Sequence, residues 1–400
     1  MKSQKFIDVT EKYGAQNYKP IPVVISHAKG VWVWDADGKK YIDMLSSYSA
    51  LNQGHLHPAI IKAVKQQLGR VTLTSRAFYN DRIGEFFKAV TGACKMDKVL
   101  PMNSGAEAVE TAIKLARKWG HTVKGIPENS AEIICCKDNF HGRTTTVISF
   151  STEPQYRAGF GPFTPGFKII EYGNAEDLEK AITPNTAAFL VEPIQGEAGI
   201  VMPPAGYLRK TREICSAHNV LFIADEIQTG FGRTGKLFCC EHEGVKPDVL
   251  IIGKALGGGI MPVSGVLSSA EIMSVFKPGD HGSTFGGNPL ACAVGIAAIN
   301  VLIKEKLVQN SAKMGAYFIN ELKKLQSPIV KDIRGKGLFI GVEIKKECGT
   351  ARKYCEQLMH LGVLSKETHD QVIRFAPPLN IKKQEIDWAL ERIKSILINN

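Results

Sequence analysis

Three short runs of apolar residues in the middle of the chain are each followed within two residues by a charged side chain. None of the runs alternates polar with apolar positions, and turn-forming residues lie close to them. Runs of this length are typical of strands that are buried on both faces of a parallel sheet. The three predicted strands cover residues 187–191, 220–224 and 249–252.

The segment between the first two runs, residues 206–219, has apolar positions at helical spacing and ends at Asn219, which suits a helix C-terminus. A strand, a helix and a second strand in this order predict a right-handed parallel crossover. Functional groups of open parallel sheets gather at the carboxyl ends of the strands. We therefore predict that Glu192, Asp225 and Lys254 meet along one edge of the sheet.

Lys254 follows the third run at a distance of two residues and precedes a cluster of glycines. Burial lowers the pKa of a lysine, and the neutral amine forms Schiff bases with carbonyl compounds. An isolated lysine at a strand end more often extends its ammonium group to solvent. Asp225 changes this interpretation, because pyridoxal phosphate (PLP) is held by a lysine while an acidic residue pairs with its pyridinium nitrogen. Together the two residues predict a PLP site, although Asp225 or Gln228 alone would be an ordinary turn residue.

Two segments could bind the phosphate of such a cofactor. Ser104 and Glu107 form a capping box that opens a helix, and Gly105 permits close approach to its free N–H groups. A glycine-rich segment further on offers two hydroxyl groups, those of Ser283 and Thr284. A capping box alone is a weak signal, since most mark only a helix start.

The segment after residues 133–136 contains two more candidates. Phe140 is suited to stacking on the cofactor ring, and Arg143 is suited to a carboxylate. Taken singly, Phe140 would more often be a core residue and Arg143 a surface ion-pair residue. Their position after another apolar run favours the functional interpretation.

These motifs together resemble a known family. Asp225-Glu-Ile-Gln228 with Gly-Lys254 downstream resembles the signature of the class III (subgroup II) PLP-dependent aminotransferases, and the chain is most similar to the branch that acts on ornithine. The match extends from about residue 13 to near the C-terminus. The further segments that carry it are residues 13–18, 45–55, 72–80, 191–199, 281–289 and 373–379.

The resemblance implies a role for each residue around the cofactor ring. Lys254 would hold PLP covalently and carry the proton between the substrate and the cofactor. Asp225 would pair with the pyridine nitrogen, Gln228 would lie near the ring hydroxyl, and Phe140 would stack on the ring.

The same resemblance assigns the phosphate to Gly105 and Ala106 through their backbone. Thr284, next to Ser283 in the second segment, would reach the phosphate from the neighbouring subunit. The family therefore implies a homodimer with shared active sites.

The substrate residues are also implied by the resemblance. Tyr18 and Tyr48 would hold the α-amino and α-carboxylate groups of L-ornithine. Arg374 would bind the α-carboxylate of 2-oxoglutarate, and Arg143 its γ-carboxylate. Glu197 would pair with Arg374 while ornithine is bound and then move away for the dicarboxylate.

The proposed movement of Glu197 has a physical reason. One pocket must accept a diamino acid and then a dicarboxylic acid, and an unmasked Arg374 would attract an α-carboxylate to the wrong position. Glu197 lies in Gly-Glu-Ala-Gly, where the glycines give it freedom to move, and this context favours the gating role over the alternative of a solvated loop acid. His141 departs from the bulkier aromatic residue expected in some relatives, and no role is assigned to it.

The family implies an α/β fold, that of fold type I PLP-dependent transferases, with a mostly parallel central sheet and a smaller α+β domain. Alternating strands and helices place the large PLP-binding domain at residues 46–290. Residues 1–45 and 291–400 are expected to form the small domain, which brings Arg374 to a substrate site between the domains.

Composition narrows the function further. The net charge of +11 comes from scattered basic residues rather than basic tracts, so no nucleic-acid partner is expected. No run approaches the length of a membrane span, and the N-terminus lacks the pattern of a secretory signal. The nine cysteines have no metal-like spacing, which favours a reducing cytoplasm. Residues 230–235 match a dinucleotide motif but no helix is expected there, and His55 with His57 is expected to be structural rather than a metal site.

We therefore expect a ping-pong transamination that moves the δ-amino group of L-ornithine to 2-oxoglutarate, giving L-glutamate 5-semialdehyde and L-glutamate. The reaction would belong to arginine metabolism and proline biosynthesis. An acetylornithine or 4-aminobutyrate aminotransferase is the nearest alternative, against which Tyr18 and Tyr48 argue. An aminomutase on the same scaffold and a non-catalytic interaction protein are the others.

Overall fold

A computed structural model of the chain describes residues 2–398. Its strands are short, as the apolar runs predict, and they build three separate sheets. In chain order the strands are β1 Ile25–Lys29, β2 Trp32–Asp35, β3 Lys40–Asp43, β4 Lys98–Met102, β5 Glu132–Cys136, β6 Phe167–Ile170, β7 Thr186–Val191, β8 Leu221–Asp225, β9 Val249–Ile252, β10 Ser264–Ser268, β11 Val330–Lys336, β12 Phe339–Ile344, β13 Val363–Leu364, β14 Lys366–Thr368 and β15 Val372–Phe375.

The largest sheet has seven strands in the order β4-β10-β9-β8-β7-β5-β6. Strands β5 to β9 pair in parallel, while β10 is antiparallel to both of its neighbours. Every residue of β7, β8 and β9 is buried, which explains why their sequences are continuously apolar. The predicted mostly parallel central sheet is confirmed.

Two four-stranded sheets complete the fold, in the orders β1-β2-β3-β13 and β11-β12-β15-β14. The first joins the two ends of the chain, because β13 pairs in parallel with β3. All strands of the large sheet lie within residues 46–290, and all strands of the smaller sheets lie outside that range. This distribution agrees with the expected domain division, which itself stays a prediction.

Helices cover both faces of the large sheet and flank the smaller ones. The α-helices are Lys2–Tyr13, Pro58–Leu68, Ile83–Cys94, Gly105–Trp119, Thr145–Ile148, Pro154–Arg157, Ala175–Ala181, Tyr207–Ala217, Ala270–Met273, Pro289–Lys304, Leu307–Lys323, Ala351–His360 and Lys383–Ile398. A π-helical turn spans Gly120–Lys124, and 3₁₀ turns span Cys239–Glu243, Lys254–Gly257 and Lys346–Cys348.

The predicted crossover between β7 and β8 is present. Its helix ends at Ala217, slightly earlier than expected, and Asn219 takes a left-handed conformation with φ 50° just beyond it. Asparagine tolerates this conformation better than most residues, so it ends the helix much as glycine does.

The glycine-rich segment 230–235, the two histidines near residue 55 and the cysteines all lie in ordinary structural surroundings. Residues 230–235 form turns and open no helix, in agreement with the rejected dinucleotide motif. His55 bonds to Asp43 at 2.8 Å, and His57 contacts Glu305 at 2.9 Å while capping its helix. All nine cysteines are free, and eight are buried. Within residues 2–398, no helix is both long and apolar enough to cross a membrane.

Candidate active site

Lys254 lies just beyond the end of β9, where the backbone changes direction sharply. Gly253 is extended, and Lys254 itself has φ 43°, a left-handed conformation that is unfavourable for a residue with a side chain. Such strain often persists at functional sites because the surrounding structure enforces it. Burial of the amine lowers the pKa of Lys254 to about 8, although the charge of Glu197 opposes the shift.

The carboxyl ends of β7, β8 and β9 meet at one cavity, as predicted. Its volume is about 210 Å³. Of the predicted cofactor residues, six lie in its wall: Gly105, Ala106, Phe140, Asp225, Gln228 and Lys254. His141, Gly142, Glu192, Ile194, Ile227 and Thr229 complete the lining.

Asp225 is held from two sides. Its Oδ1 accepts a hydrogen bond from the Ile227 N–H at 3.0 Å, and its Oδ2 lies 2.7 Å from Nδ1 of His141. Burial alone would lower the pKa of His141, but the hydrogen bond and the charge of Asp225 outweigh burial and raise it. His141, to which the sequence assigned no role, therefore orients the carboxylate through this hydrogen bond. Its Nε2 has no hydrogen-bond partner among residues 2–398.

Glu192 is buried at the end of β7 and fixes the neighbouring loop. Its carboxylate accepts hydrogen bonds from the Phe140 N–H at 2.8 Å and the Gly196 N–H at 3.2 Å. Burial raises the pKa of Glu192 to about 7, and the nearby His141 charge only partly offsets this. Glu192 thus positions the backbone of Phe140, a role that only its place at the strand end could have suggested.

The predicted anion cradle is present at the start of helix Gly105–Trp119. Ser104 caps the helix, and the Glu107 carboxylate bonds back to its backbone at 2.6 Å, which completes the capping box. Gly105 has no side chain where the helix faces the cavity, and a Cβ atom added there would lie 3.0 Å from the end of the Ile227 side chain, so Ile227 would have to shift. The N–H groups of Gly105 and Ala106 are therefore accessible to an anion.

The structure does not bring Ser283 and Thr284 into this cavity. The Ser283 hydroxyl accepts hydrogen bonds from the Asn103 amide and the Gly286 N–H, each at 3.0 Å. Thr284 is exposed. An exposed Thr284 is compatible with the expectation that it serves another subunit.

Glu197 and Arg374, predicted as a pair, are in direct contact. Nη1 of Arg374 lies 2.9 Å from Oε1 of Glu197, and the Gln228 amide donates to the same oxygen at 2.9 Å. Burial alone would raise the pKa of Glu197, but the Arg374 charge and its hydrogen bond outweigh this and lower it to about 2. The guanidinium is almost fully buried, at 1% exposure, whereas the Glu197 side chain is 25% exposed.

Three more contacts surround Arg374. Its Nη2 donates to the Gly196 carbonyl at 3.2 Å and to the Thr368 hydroxyl at 3.1 Å. The Tyr48 ring lies 5.4 Å from the guanidinium carbon, as in a cation–π contact. Burial raises the pKa of Tyr48, so its hydroxyl stays protonated. Thr368 gave no signal in the sequence, because its role depends on the pairing of β14 with β15.

Tyr18 and Arg143 lie further out. Tyr18 is 74% exposed. Arg143 is exposed too, with its guanidinium 4.1 Å from the centre of the Tyr156 ring, and that ring meets Phe140 edge-on. Tyr156 thus links Arg143 to the cavity, a contact that the sequence did not indicate.

The lining of the cavity fits PLP. An amine with a lowered pKa, a buried carboxylate backed by a histidine, a bare helix N-terminus and an aromatic ring are the groups that this cofactor requires. Together with the mostly parallel sheet, they define a PLP-dependent enzyme with the fold type I architecture.

Comparison with known proteins narrows this class. The profile of the family Aminotransferase class-III matches residues 13–397, and the chain belongs to that PLP-dependent family. It is 61% identical to the ornithine aminotransferase of Brevibacillus brevis over 99% of this chain and 98% of that protein.

Two solved structures are similar over almost the whole chain. The ornithine aminotransferase of Toxoplasma gondii, described with partial occupancy of PLP at its active site, has a TM-score of 0.98 and 47% identity, covering 99% of this chain and 94% of that one. The acetylornithine aminotransferase of Elizabethkingia anophelis has a TM-score of 0.90 and 48% identity, covering 100% and 99%.

Proposed function

We propose that this protein is an ornithine aminotransferase, which moves the δ-amino group of L-ornithine to 2-oxoglutarate in a ping-pong reaction. The products are L-glutamate 5-semialdehyde and L-glutamate. The observation that carries the proposal is the Glu197–Arg374 pair at 2.9 Å, which lies beside the cavity and is joined to it through the lining residue Gln228. The names of the most similar relatives, which are 55–61% identical, support it.

When bound, PLP supplies an electron sink for the carbanion formed at the substrate carbon. Lys254 Nζ, with a pKa of about 8, can release and take up a proton near neutral pH, as a general acid–base must. The Asp225 carboxylate would keep a proton on the cofactor nitrogen, and His141 holds that carboxylate in place at 2.7 Å. Gly105 and Ala106 would bind the phosphate, and Phe140 would pack on the ring.

The Glu197–Arg374 pair solves the charge problem of two unlike substrates. With Arg374 neutralised by Glu197, the α-carboxylate of ornithine is not drawn to the guanidinium, so the δ-amino group reaches Lys254. Tyr48 and Tyr18 hold the α-groups of ornithine at the outer end. When 2-oxoglutarate enters, Glu197 leaves Arg374 free for the α-carboxylate, and Arg143 binds the γ-carboxylate.

Glu197 is suited to this movement by its surroundings. Its side chain is 25% exposed, while its partner Arg374 is anchored at 1% exposure by Gly196 and Thr368. The mobile member of the pair is therefore the acid. The Gln228 amide stays beside both residues and can bond to either.

An acetylornithine aminotransferase is the second candidate, favoured by the 48% identity to the Elizabethkingia structure. The half-buried Tyr48 beside Arg374 argues against it, because a protonated hydroxyl there suits the free α-amino and α-carboxylate groups of ornithine.

Comparison of amino donors tests the choice between the two candidates. Single-turnover spectra of the PLP-loaded protein with L-ornithine, N-acetyl-L-ornithine and 4-aminobutyrate give the rate of the first half-reaction for each donor. We expect ornithine to react fastest. A higher kcat/KM for N-acetyl-L-ornithine would overturn the proposal in favour of the second candidate.

We also propose that the protein works as a homodimer. Phe78, Tyr79 and Phe285 are large apolar side chains that are 73%, 100% and 55% exposed, and a second copy would cover them. Thr284, next to Phe285, would then reach the phosphate in the partner's cavity. Sedimentation analysis at micromolar concentration tests the dimer, and a monomer with full activity would contradict it. The nine free cysteines support a reducing, cytoplasmic location.

A further inference from the structure

The turn that carries Tyr48 has an unusual backbone. Ser46, Ser47, Tyr48 and Ser49 have φ values of 46°, 48°, 58° and 73°, so four consecutive residues are left-handed and none of them is glycine. This conformation is unfavourable for residues with a Cβ atom and rarely extends beyond single residues. The surrounding structure must therefore hold the turn in place.

Hydrogen bonds of the backbone and of the Ser46 side chain fix the start of the turn. The Asp43 carboxylate accepts from the N–H groups of Leu45 and Ser46 at 2.9 and 2.8 Å. The Ser46 hydroxyl donates to the Ala376 carbonyl at 2.6 Å and accepts from Nη2 of Arg233 at 2.9 Å. Ser46 thus connects the strained turn to the segment just after β15.

Arg233 is a fully buried arginine whose four hydrogen bonds all go to uncharged oxygen atoms. Besides Ser46, the acceptors are the Leu338 carbonyl at 2.8 Å, the Pro377 carbonyl at 2.6 Å and the Asn52 amide oxygen at 2.6 Å. Burying a guanidinium without a carboxylate partner is costly, and groups of this kind can be retained because they define one geometry.

The segments that Arg233 joins are those that carry the substrate residues. Ser46 lies two residues before Tyr48, and Pro377 lies three residues after Arg374. Arg233 itself follows Gln228 by five residues. One planar guanidinium therefore sets the distance between the Tyr48 turn and the Arg374 strand, where the Tyr48 ring lies 5.4 Å from the Arg374 guanidinium carbon.

We propose that Arg233 and Ser46 are positioning residues for substrate recognition, which hold Tyr48 against Arg374 and so set the preference for an amino donor that carries α-amino and α-carboxylate groups. Neither residue touches the substrate. This inference rests on the proposed function. It predicts that loosening the turn weakens recognition of the α-groups more than it slows the chemistry at Lys254.

Ser311 provides a matched control, because it is also a fully buried serine with two hydrogen bonds. Its hydroxyl donates to the Arg233 carbonyl at 2.9 Å and accepts from the Leu338 N–H at 3.3 Å. Neither bond involves the Arg233 guanidinium or the turn. Ser311→Ala therefore reports the cost of losing a buried hydroxyl that bonds to the Arg233 backbone, while the four hydrogen bonds of the guanidinium are kept.

The experiment compares L-ornithine with 1,4-diaminobutane, which lacks the α-carboxylate, as donors for Ser46→Ala, Ser311→Ala and the wild type. For Ser46→Ala we expect kcat/KM for ornithine to fall about tenfold, mainly through KM, because small misplacements in a site have effects of this order. For the same variant, kcat/KM for 1,4-diaminobutane should change little. Ser311→Ala should change kcat/KM for the two donors by the same factor. Tyr48→Ile shows how large the effect is when discrimination between the two donors is lost completely.

Arg233→Lys keeps the positive charge but loses the planar guanidinium that donates in two directions. It should change the ratio of kcat/KM for ornithine and 1,4-diaminobutane in the same direction as Ser46→Ala. If it fails to fold, Ser46→Ala decides alone. An unchanged donor ratio in Ser46→Ala, or an equal change in Ser311→Ala, would overturn the inference. A wild type without preference for ornithine would instead overturn the proposed function.

Discussion

The cofactor end of the pocket and its substrate end are built in different ways. At the cofactor end, the charged groups lie directly at the carboxyl ends of β7, β8 and β9, and backbone N–H groups fix the carboxylates of Glu192 and Asp225. At the substrate end, Glu197 lies on a glycine-flanked loop and Arg374 on a different sheet. Only the cofactor end is therefore fixed by the strands of the large sheet.

This difference matches the two tasks. The chemistry at Lys254 is the same in both half-reactions, so its surroundings need a single geometry. Recognition must change between a diamino acid and a dicarboxylate, so the substrate end contains an ion pair that can open. We therefore expect changes at the cofactor end to affect both half-reactions, and changes at the substrate end to affect mainly the choice of substrate.

The largest effect is expected for Lys254→Ala. Loss of the general acid–base should reduce transamination with any donor by about 10⁴-fold. Stopped-flow measurement with ornithine and with glutamate gives both rates. If only one half-reaction were slowed, the proposed distinction between the two ends would be wrong.

Borohydride treatment of the PLP-loaded wild type should label Lys254 and no other lysine, which peptide mapping checks.

Asp225→Asn should come next in size. The amide cannot hold a proton on the cofactor nitrogen, and His141 loses its charged partner at 2.7 Å. We expect both half-reactions to slow by about 10²- to 10³-fold, as for the loss of one preorganised electrostatic contact. The ratio of the ornithine and glutamate rates should stay close to that of the wild type. A large change in that ratio would contradict a shared role in both half-reactions.

Glu197→Gln should have a smaller effect, and one that is confined to selectivity. An unmasked Arg374 attracts the α-carboxylate, so glutamate should gain on ornithine by about tenfold in relative kcat/KM. Glu132→Gln is a matched control, because Glu132 also pairs with a basic residue, Lys168 at 2.9 Å, and its side chain is 26% exposed. Glu132 lies at the start of β5, away from the carboxyl ends of the strands. If both variants discriminate between ornithine and glutamate as the wild type does, Glu197 is not a gate, that is, an acid that masks Arg374 from one substrate and uncovers it for the other.

The same contrast explains what the sequence could predict. Lys254 and Asp225 could be found because a strand end leaves a visible pattern, an apolar run followed by a charge. Thr368 and Tyr156 left no such pattern, because they reach the site through strand pairing and ring contacts between distant segments. The Glu197–Arg374 contact came from family resemblance alone, since no local spacing relates residues that far apart.

The backbone around Tyr48 lies beyond any sequence pattern. Ser-Ser-Tyr-Ser contains no glycine, and local propensity would not predict four left-handed residues in succession. Two hydrogen bonds of Ser46 override that propensity: its N–H donates to the nearby Asp43 carboxylate, and its hydroxyl accepts from the distant Arg233. His141 was missed for a related reason, because its partner Asp225 is 84 residues away.

The smallest expected effect is a shift in pH dependence that joins the two ends of the pocket. Burial lowers the pKa of Lys254 to about 8, while the carboxylate of Glu197 opposes this and the Arg374 charge adds to it. The neutral amine is the reactive form, so the rate at which cofactor-free protein incorporates PLP should rise with pH through about 8 and then level off. Glu197→Gln removes an opposing charge and leaves Arg374 unpaired, so the midpoint should move to lower pH.

Borohydride-fixed label, measured over time at a series of pH values, gives this midpoint for each variant. Glu132→Gln provides the baseline, since any titration of free PLP is common to all the proteins. A midpoint that is unchanged in Glu197→Gln would mean that the acid does not act on the lysine, so the gate and the catalytic amine would be electrostatically independent. A downward shift would mean that opening of the gate also makes Lys254 more readily neutral, at the moment when the second substrate enters.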